Sequence, residues 1–152
     1  MANNSKEKYL RRGVVGVISH NGRILVIQRS AYVSAPLKWC LPGGGVERGE
    51  TEEEALQREM MEELNLHVVP IKKVYESTTR RKMALSWWTV DIEAQELKNL
   101  KPEPLEVRDV RWMTPEELRK HPGTLQSNVE ALRFLEDNAD SQKDKGEEGE
   151  PA

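Results

Sequence analysis

Between Gly44 and Leu66 the chain reads GGVERGETEEEALQREMMEELNL, a glycine turn running straight into an acid-rich segment. Glu59, Glu62 and Glu63 stand at i, i+3 and i+4, which on a helix gathers three carboxylates within one turn. Like charges at that spacing repel, so the arrangement costs stability unless something compensates it. A hard divalent cation does so, because Mg²⁺ takes oxygen ligands and accepts carboxylates alongside water and phosphate oxygens. Arg58 is placed to reach Glu54 or Glu62 along the same helix, or to fold back to Glu50 in the preceding loop. A loop-to-helix ion pair would set the angle at which the chain enters the helix and hold the acids still. The glycines let backbone amides and carbonyls approach a metal or phosphate closely. Glu52, Glu53 and Glu54 read instead as an ordinary solvated face.

The elements that must position these acids are legible on either side. Thr51 with Glu54 three residues on is a capping box, and Leu56, Met60 and Leu64 form the buried stripe of a helix ending near Leu64. Ahead of it, Val14 to Ile18 reads as a buried strand. Asn21-Gly22 is a hairpin turn, and Ile24 to Ile27 is the return strand. Residues 30–38 read as a loop, and Trp39-Cys40-Leu41 as a short strand stopped by Pro42. Behind the helix, Leu66 to Tyr75 is β-rich, and Met83 to Ile92 is a strand with Leu85, Trp87 and Thr89 on one face and Ser86, Trp88 and Val90 on the other. Residues 98–104 form a loop and Val107 to Met113 a strand. Thr114-Pro115 opens a short helix, and Leu125 to Glu136 carries helical spacing. Strands interrupted by a helix, then more strands and helices, predict an α/β fold with a mixed sheet covered on its faces by helices.

The length of 152 residues fits one domain, with a flexible N-terminus over residues 1–9, a folded body over 10–136 and a disordered acidic tail over 137–152. A net charge of -3 speaks against extended nucleic-acid binding but leaves room for one small anionic ligand at a local site. The single cysteine, Cys40, allows no intramolecular disulfide and reads as a packed apolar residue. The polar start of the chain and the lack of a long apolar run predict a cytoplasmic protein with no membrane partner.

The segment from Gly44 resembles the Nudix box, G-x5-E-x7-R-E-U-x-E-E-x-G-U with U a bulky aliphatic residue. Gly44, Glu50, Arg58, Glu59, Met60, Glu62, Glu63 and Leu66 fall on its places. Asn65 departs from it, standing where the family usually has a helix-ending glycine. Asn is the next most tolerant residue of the left-handed backbone, so a small stability cost and intact chemistry are expected. The resemblance extends over about residues 10–136 and implies the Nudix fold, a mixed β-sheet in an α/β/α sandwich.

The resemblance also implies metal-activated attack of water on a diphosphate linkage, with Mg²⁺ as cofactor and Mn²⁺ as its substitute. Glu59 and Glu63 would then be direct metal ligands, with Glu62 close behind and the Gly44 carbonyl a further candidate. Arg58 and Glu50 would orient them. The general base is either a box glutamate or a glutamate on a later loop, where Glu106, six residues before Trp112, matches. Among family members the MutT type, which cleaves nucleoside triphosphates and notably oxidised guanine nucleotides to monophosphate and pyrophosphate, is the nearest likeness. By that likeness Arg29 and Arg81 lie near the base, Trp87 or Trp88 stacks on it and Asn128 reads a purine edge. Relatives that cleave ADP-ribose, NADH, dinucleoside polyphosphates or capped RNA ends are the alternatives, as is a non-catalytic nucleotide-binding domain. The partner expected is a small nucleotide, and a homodimer is compatible with the sequence.

Overall fold

The computed structural model describes residues 11–80 and 82–149, with residues 140–149 described by backbone alone. The expected flexible segment 1–9 lies outside the described residues. Asn21 and Gly22 take φ of 51° and 75°, the positive pair that a two-residue hairpin turn demands, and join β1(Arg11–His20) to β2(Arg23–Arg29). Around this hairpin the sheet grows in both directions. β6(Met83–Asp91) runs parallel to β1, and β5(Val69–Thr78) runs antiparallel to β6. β3(Trp39–Cys40) and β7(Val107–Met113) pair antiparallel with β2, and the glycine strand β4(Gly43–Gly45) pairs antiparallel with β1. The sheet is therefore mixed, as expected.

Strand alternation divides the core into two layers. Val14 and Ile18 of β1 join Leu25 and Ile27 of β2 beneath α1(Glu52–Leu64), whose Leu56, Met60 and Leu64 are fully buried. Val15, Ile24 and Val26 face the other way, under α2(Pro115–Lys120) and α3(Gln126–Gly149), which contribute Leu118, Ala131 and Leu132. The α/β/α sandwich is thus observed. Among the described residues no helix is long and apolar enough to cross a membrane.

Thr51 caps α1 as a reciprocal box, accepting from the Glu54 N–H at 3.1 Å while its own N–H donates to the Glu54 carboxylate at 3.3 Å. Asn65 ends the helix in the left-handed region, φ 58° and ψ 39°, as its place in the motif requires. Its side chain donates to the Asn99 carbonyl at 3.0 Å, a bond that glycine could not make.

Two elements differ from the sequence reading. A 3-10 turn forms over Ala94–Asn99, where no apolar period marks it. Helical backbone in α3 continues to Gly149, past the end expected at Glu136. The apolar stripe that defines a packed helix stops at Leu135, and no proline follows it before Pro151 to end the helical backbone.

Candidate active site

Gly16 of β1 leaves space for the side chains of α1: a Cβ there would lie 2.4 Å from the Met60 methyl. The seating of α1 turns Glu59 and Glu63, one helical turn apart, toward the β4 glycines. A Cβ on Gly44 would fall 2.3 Å from the Glu59 carboxyl carbon, and one on Gly43 would fall 2.0 Å from the Val14 carbonyl oxygen. Neither position tolerates a side chain without a shift of its neighbours. The Gly43 N–H donates to Glu63 Oε1 at 3.1 Å.

The third carboxylate arrives from a distant part of the chain. The loop before β7 is pinned to the end of α1, with Lys101 N–H donating to the Leu64 carbonyl at 2.9 Å and Glu103 N–H to the Glu63 carbonyl at 2.8 Å. Glu106 follows, and carboxylate oxygens of Glu59, Glu63 and Glu106 lie within 4.8 Å of one another.

Arg58 organises the flank. It donates to both Glu50 oxygens at 2.7 and 3.0 Å, to the Gly45 carbonyl at 2.8 Å, to Glu59 at 2.9 Å and to Glu62 at 3.2 Å. This is the loop-to-helix pair expected, and it reaches Glu50 and Glu62 rather than Glu54. Those hydrogen bonds, with a further one from the Glu47 N–H, hold the Glu50 carboxyl down at about 2. The same Glu50 bond raises the Arg58 guanidinium above its ordinary value.

Glu59 and Glu63 go the other way. Burial raises the Glu59 carboxyl against the pull of Arg58. Burial raises Glu63 further, and the charges of Glu59 and Glu106 add to it, against the Gly43 N–H and Arg29. Such a cluster resists full ionisation on its own. It carries three hard oxygen donors close enough to share one small ion, so the residues present fit a divalent cation of the magnesium kind.

The grouping differs from the expected trio in one member. Glu62 is 51% exposed at its side chain and bonds to Arg58, outside the cluster that Glu59, Glu63 and Glu106 form. On a helix the i+3 and i+4 positions lie on opposite sides of residue i, and α1 presents the i+4 side to β4.

Of the residues expected at the base, Trp87 is a correction. It is 0% exposed, packs against Tyr75 and donates from Nε1 to Ser77 at 3.1 Å, so it is a core residue and cannot stack on a base. Trp88, on the other face, donates to Glu52 at 3.0 Å. Asn128 is 4% exposed; its Oδ1 accepts from the Leu41 N–H at 2.8 Å and its Nδ2 donates to Ser127 at 3.3 Å. Arg29 donates to the Ser34 carbonyl at 2.7 Å and hydroxyl at 3.0 Å, and its charge acts on Glu63. Arg81 lies outside the described residues.

Sequence reasoning missed Glu52. Far from solvated, it takes bonds from Arg12, Trp88 and Lys73, the last at 3.3 Å, and ties the start of α1 to three strands. Its place in a run of three glutamates gave no signal of this. Cys40 is buried, and that burial pushes its thiol up to about 12, as an apolar role implies.

Comparison with known proteins agrees with this geometry. A family model described as NUDIX domain matches residues 9–135. The chain is 30% identical to a MutT-like protein of Streptomyces ambofaciens over 79% of its own length and 71% of the relative's. It is 31% identical to the nucleoside triphosphatase NudI of an Enterobacter species, over 69% and 82% of the two chains. The solution structure of the E. coli ORF135 protein superposes with a TM-score of 0.67 at 26% identity, covering 82% of this chain and 88% of that one. With every acid of the box present, Glu59 and Glu63 drawn together and most of the chain matched, this protein belongs to the Nudix family, as a MutT-like pyrophosphohydrolase.

Proposed function

We propose that this protein hydrolyses a nucleoside triphosphate to the monophosphate and pyrophosphate, using Mg²⁺, with oxidised guanine nucleotides as the leading substrate class. The observation that carries the proposal is the convergence of Glu59, Glu63 and Glu106 within 4.8 Å. In this reading those three carboxylates, with the Gly44 carbonyl as a further oxygen, hold the cation; Mn²⁺ substitutes for it. When bound, the ion supplies charge that polarises a phosphate and acidifies a water.

The chain's own residues do the rest. Arg58, locked to Glu50, keeps the Glu59 carboxylate aimed at the Gly44 turn. Glu62, outside the cluster, half exposed and paired with Arg58 at 3.2 Å, is the box acid that accepts the proton of the attacking water in this reading. Triphosphate specificity is supported by the likeness to NudI, whose name states that activity. In this reading base selection falls to Arg29 and to Asn128, whose Nδ2 would exchange its 3.3 Å bond to Ser127 for a base edge, since Trp87 is withdrawn into the core.

The test is chromatographic product analysis on a panel of nucleoside triphosphates, including 8-oxo-dGTP, together with ADP-ribose, NADH and dinucleoside polyphosphates. Monophosphate and pyrophosphate formed from triphosphates, abolished by EDTA, is the expected result. Cleavage confined to ADP-ribose or dinucleotides would replace the triphosphate assignment. Binding without turnover on the whole panel would favour a non-catalytic nucleotide-binding role.

A further inference from the structure

The third carboxylate of the cluster stands on a loop, and a loop needs fixing if its acid is to meet two others on a helix. On one side the fixing is plain, since Glu103 N–H bonds the carbonyl of Glu63 itself at 2.8 Å. On the other side, beyond the Glu106 and Val107 N–H bonds to the Glu103 carbonyl, it falls to one residue outside the box motif. Ser30, at the exit of β2, is 2% exposed. Its N–H donates to the Glu106 carbonyl at 2.9 Å, and its hydroxyl donates to the Leu105 carbonyl at 2.7 Å. The same hydroxyl accepts from the Tyr32 N–H at 3.2 Å, so its one donor and one of its two acceptor positions are used in orienting this crossing.

We propose that Ser30 is a positioning residue for the metal site, holding the Leu105–Glu106 backbone so that the Glu106 carboxylate meets Glu59 and Glu63. The inference rests on the reading of Glu106 as a metal ligand. Alanine at position 30 keeps the backbone bond to Glu106 but removes the side-chain partner of the Leu105 carbonyl and the Tyr32 N–H, two part-buried bonds. The peptide joining Leu105 to Glu106 is then held on its N–H side alone, by the Glu106 N–H bond to the Glu103 carbonyl at 3.0 Å, and the carboxylate that follows it loses part of its aim.

The test is a double-mutant cycle read by Mn²⁺ binding to full-length protein, using the EPR signal of the free ion, with thermal melts in EDTA as the folding control. Ser30→Ala is expected to weaken Mn²⁺ binding by about tenfold, the lower end for residues that support metal ligands. Glu106→Gln weakens it on its own, and Ser30→Ala added to Glu106→Gln weakens it no further. Ser30→Cys, of similar volume with a poorer donor, is expected to fall between wild type and alanine, and it carries the test if the alanine variant does not fold. Equal losses in the wild-type and Glu106→Gln backgrounds, or wild-type affinity in a folded Ser30→Ala protein, would overturn the positioning role alone. Wild-type affinity in Glu106→Gln would remove the ligand reading and this inference with it.

Discussion

Replacing Glu63 by Gln should stabilise the metal-free protein while removing its response to magnesium. Glu63 is 5% exposed and faces Glu59 and Glu106 at oxygen separations within 4.8 Å. At that distance a pair of like charges repels by roughly 3.5 kcal/mol at an effective dielectric of about 20. The Arg58 pairing of Glu59, the Gly43 N–H and proton uptake offset much of this, which leaves about 2 kcal/mol to be recovered by neutralising the group. The Gln carbonyl still accepts from Gly43, so no buried donor is stranded. For a chain of this size that gain corresponds to roughly 4–8 °C in Tm.

The pH dependence follows from the direction of the shift. The folded Glu63 carboxyl lies well above 4.5, so its contribution to stability is complete below that pH and is lost as pH rises through the folded value. In EDTA the Gln variant should therefore outlast wild type at pH 8, and the two should converge toward pH 4.5. With Mg²⁺ at about a hundred times its dissociation constant, wild type should gain about 2.7 kcal/mol, and the variant far less. Scanning calorimetry at both pH values, with EDTA or Mg²⁺, makes the measurement. A variant that melts below wild type in EDTA at pH 8, or that keeps the full Mg²⁺ shift, would refute the electrostatic reasoning.

Glu62→Gln should lower kcat by about a hundredfold or more while leaving Mn²⁺ affinity close to wild type, whereas Glu63→Gln should lower both; parallel kinetics and EPR titration separate the two roles. Gly44→Ala should cost activity out of proportion to stability, because the new methyl enters the space of the Glu59 carboxylate; a wild-type rate in that variant would contradict the close approach. Asn128→Ala should destabilise the fold by about 1–2 kcal/mol through the stranded Leu41 N–H, and should narrow the preference between guanine and adenine triphosphates. A folded-state thiol assay should find Cys40 unreactive at pH 8, with release only on denaturation.

What the sequence discloses here is local chemistry. The Asn21-Gly22 turn, the Thr51 capping box and the stripe Leu56-Met60-Leu64 each act within a few residues, and each stands in the structure as expected. Asn65 could be read as a glycine substitute because backbone tolerance is a property of the residue itself. The membership of the carboxylate cluster is different in kind. Whether Glu62 or Glu106 completes it depends on how α1 is rotated against β4 and on a loop docked to the carbonyls of Glu63 and Leu64. Period-two alternation says that Trp87 and Trp88 face opposite layers, but which layer is closed depends on α2 and α3 far along the chain. Glu52 looked like its neighbours Glu53 and Glu54, and its partners Arg12, Lys73 and Trp88 come from three strands that only the folded sheet brings together.

Crystals grown with Mn²⁺ and measured at its absorption edge give the most direct reading of where the cation binds. Anomalous density in contact with carboxylate oxygens of Glu59, Glu63 and Glu106 is the predicted outcome. Density held elsewhere on the molecule, with those three side chains unliganded, would contradict the account.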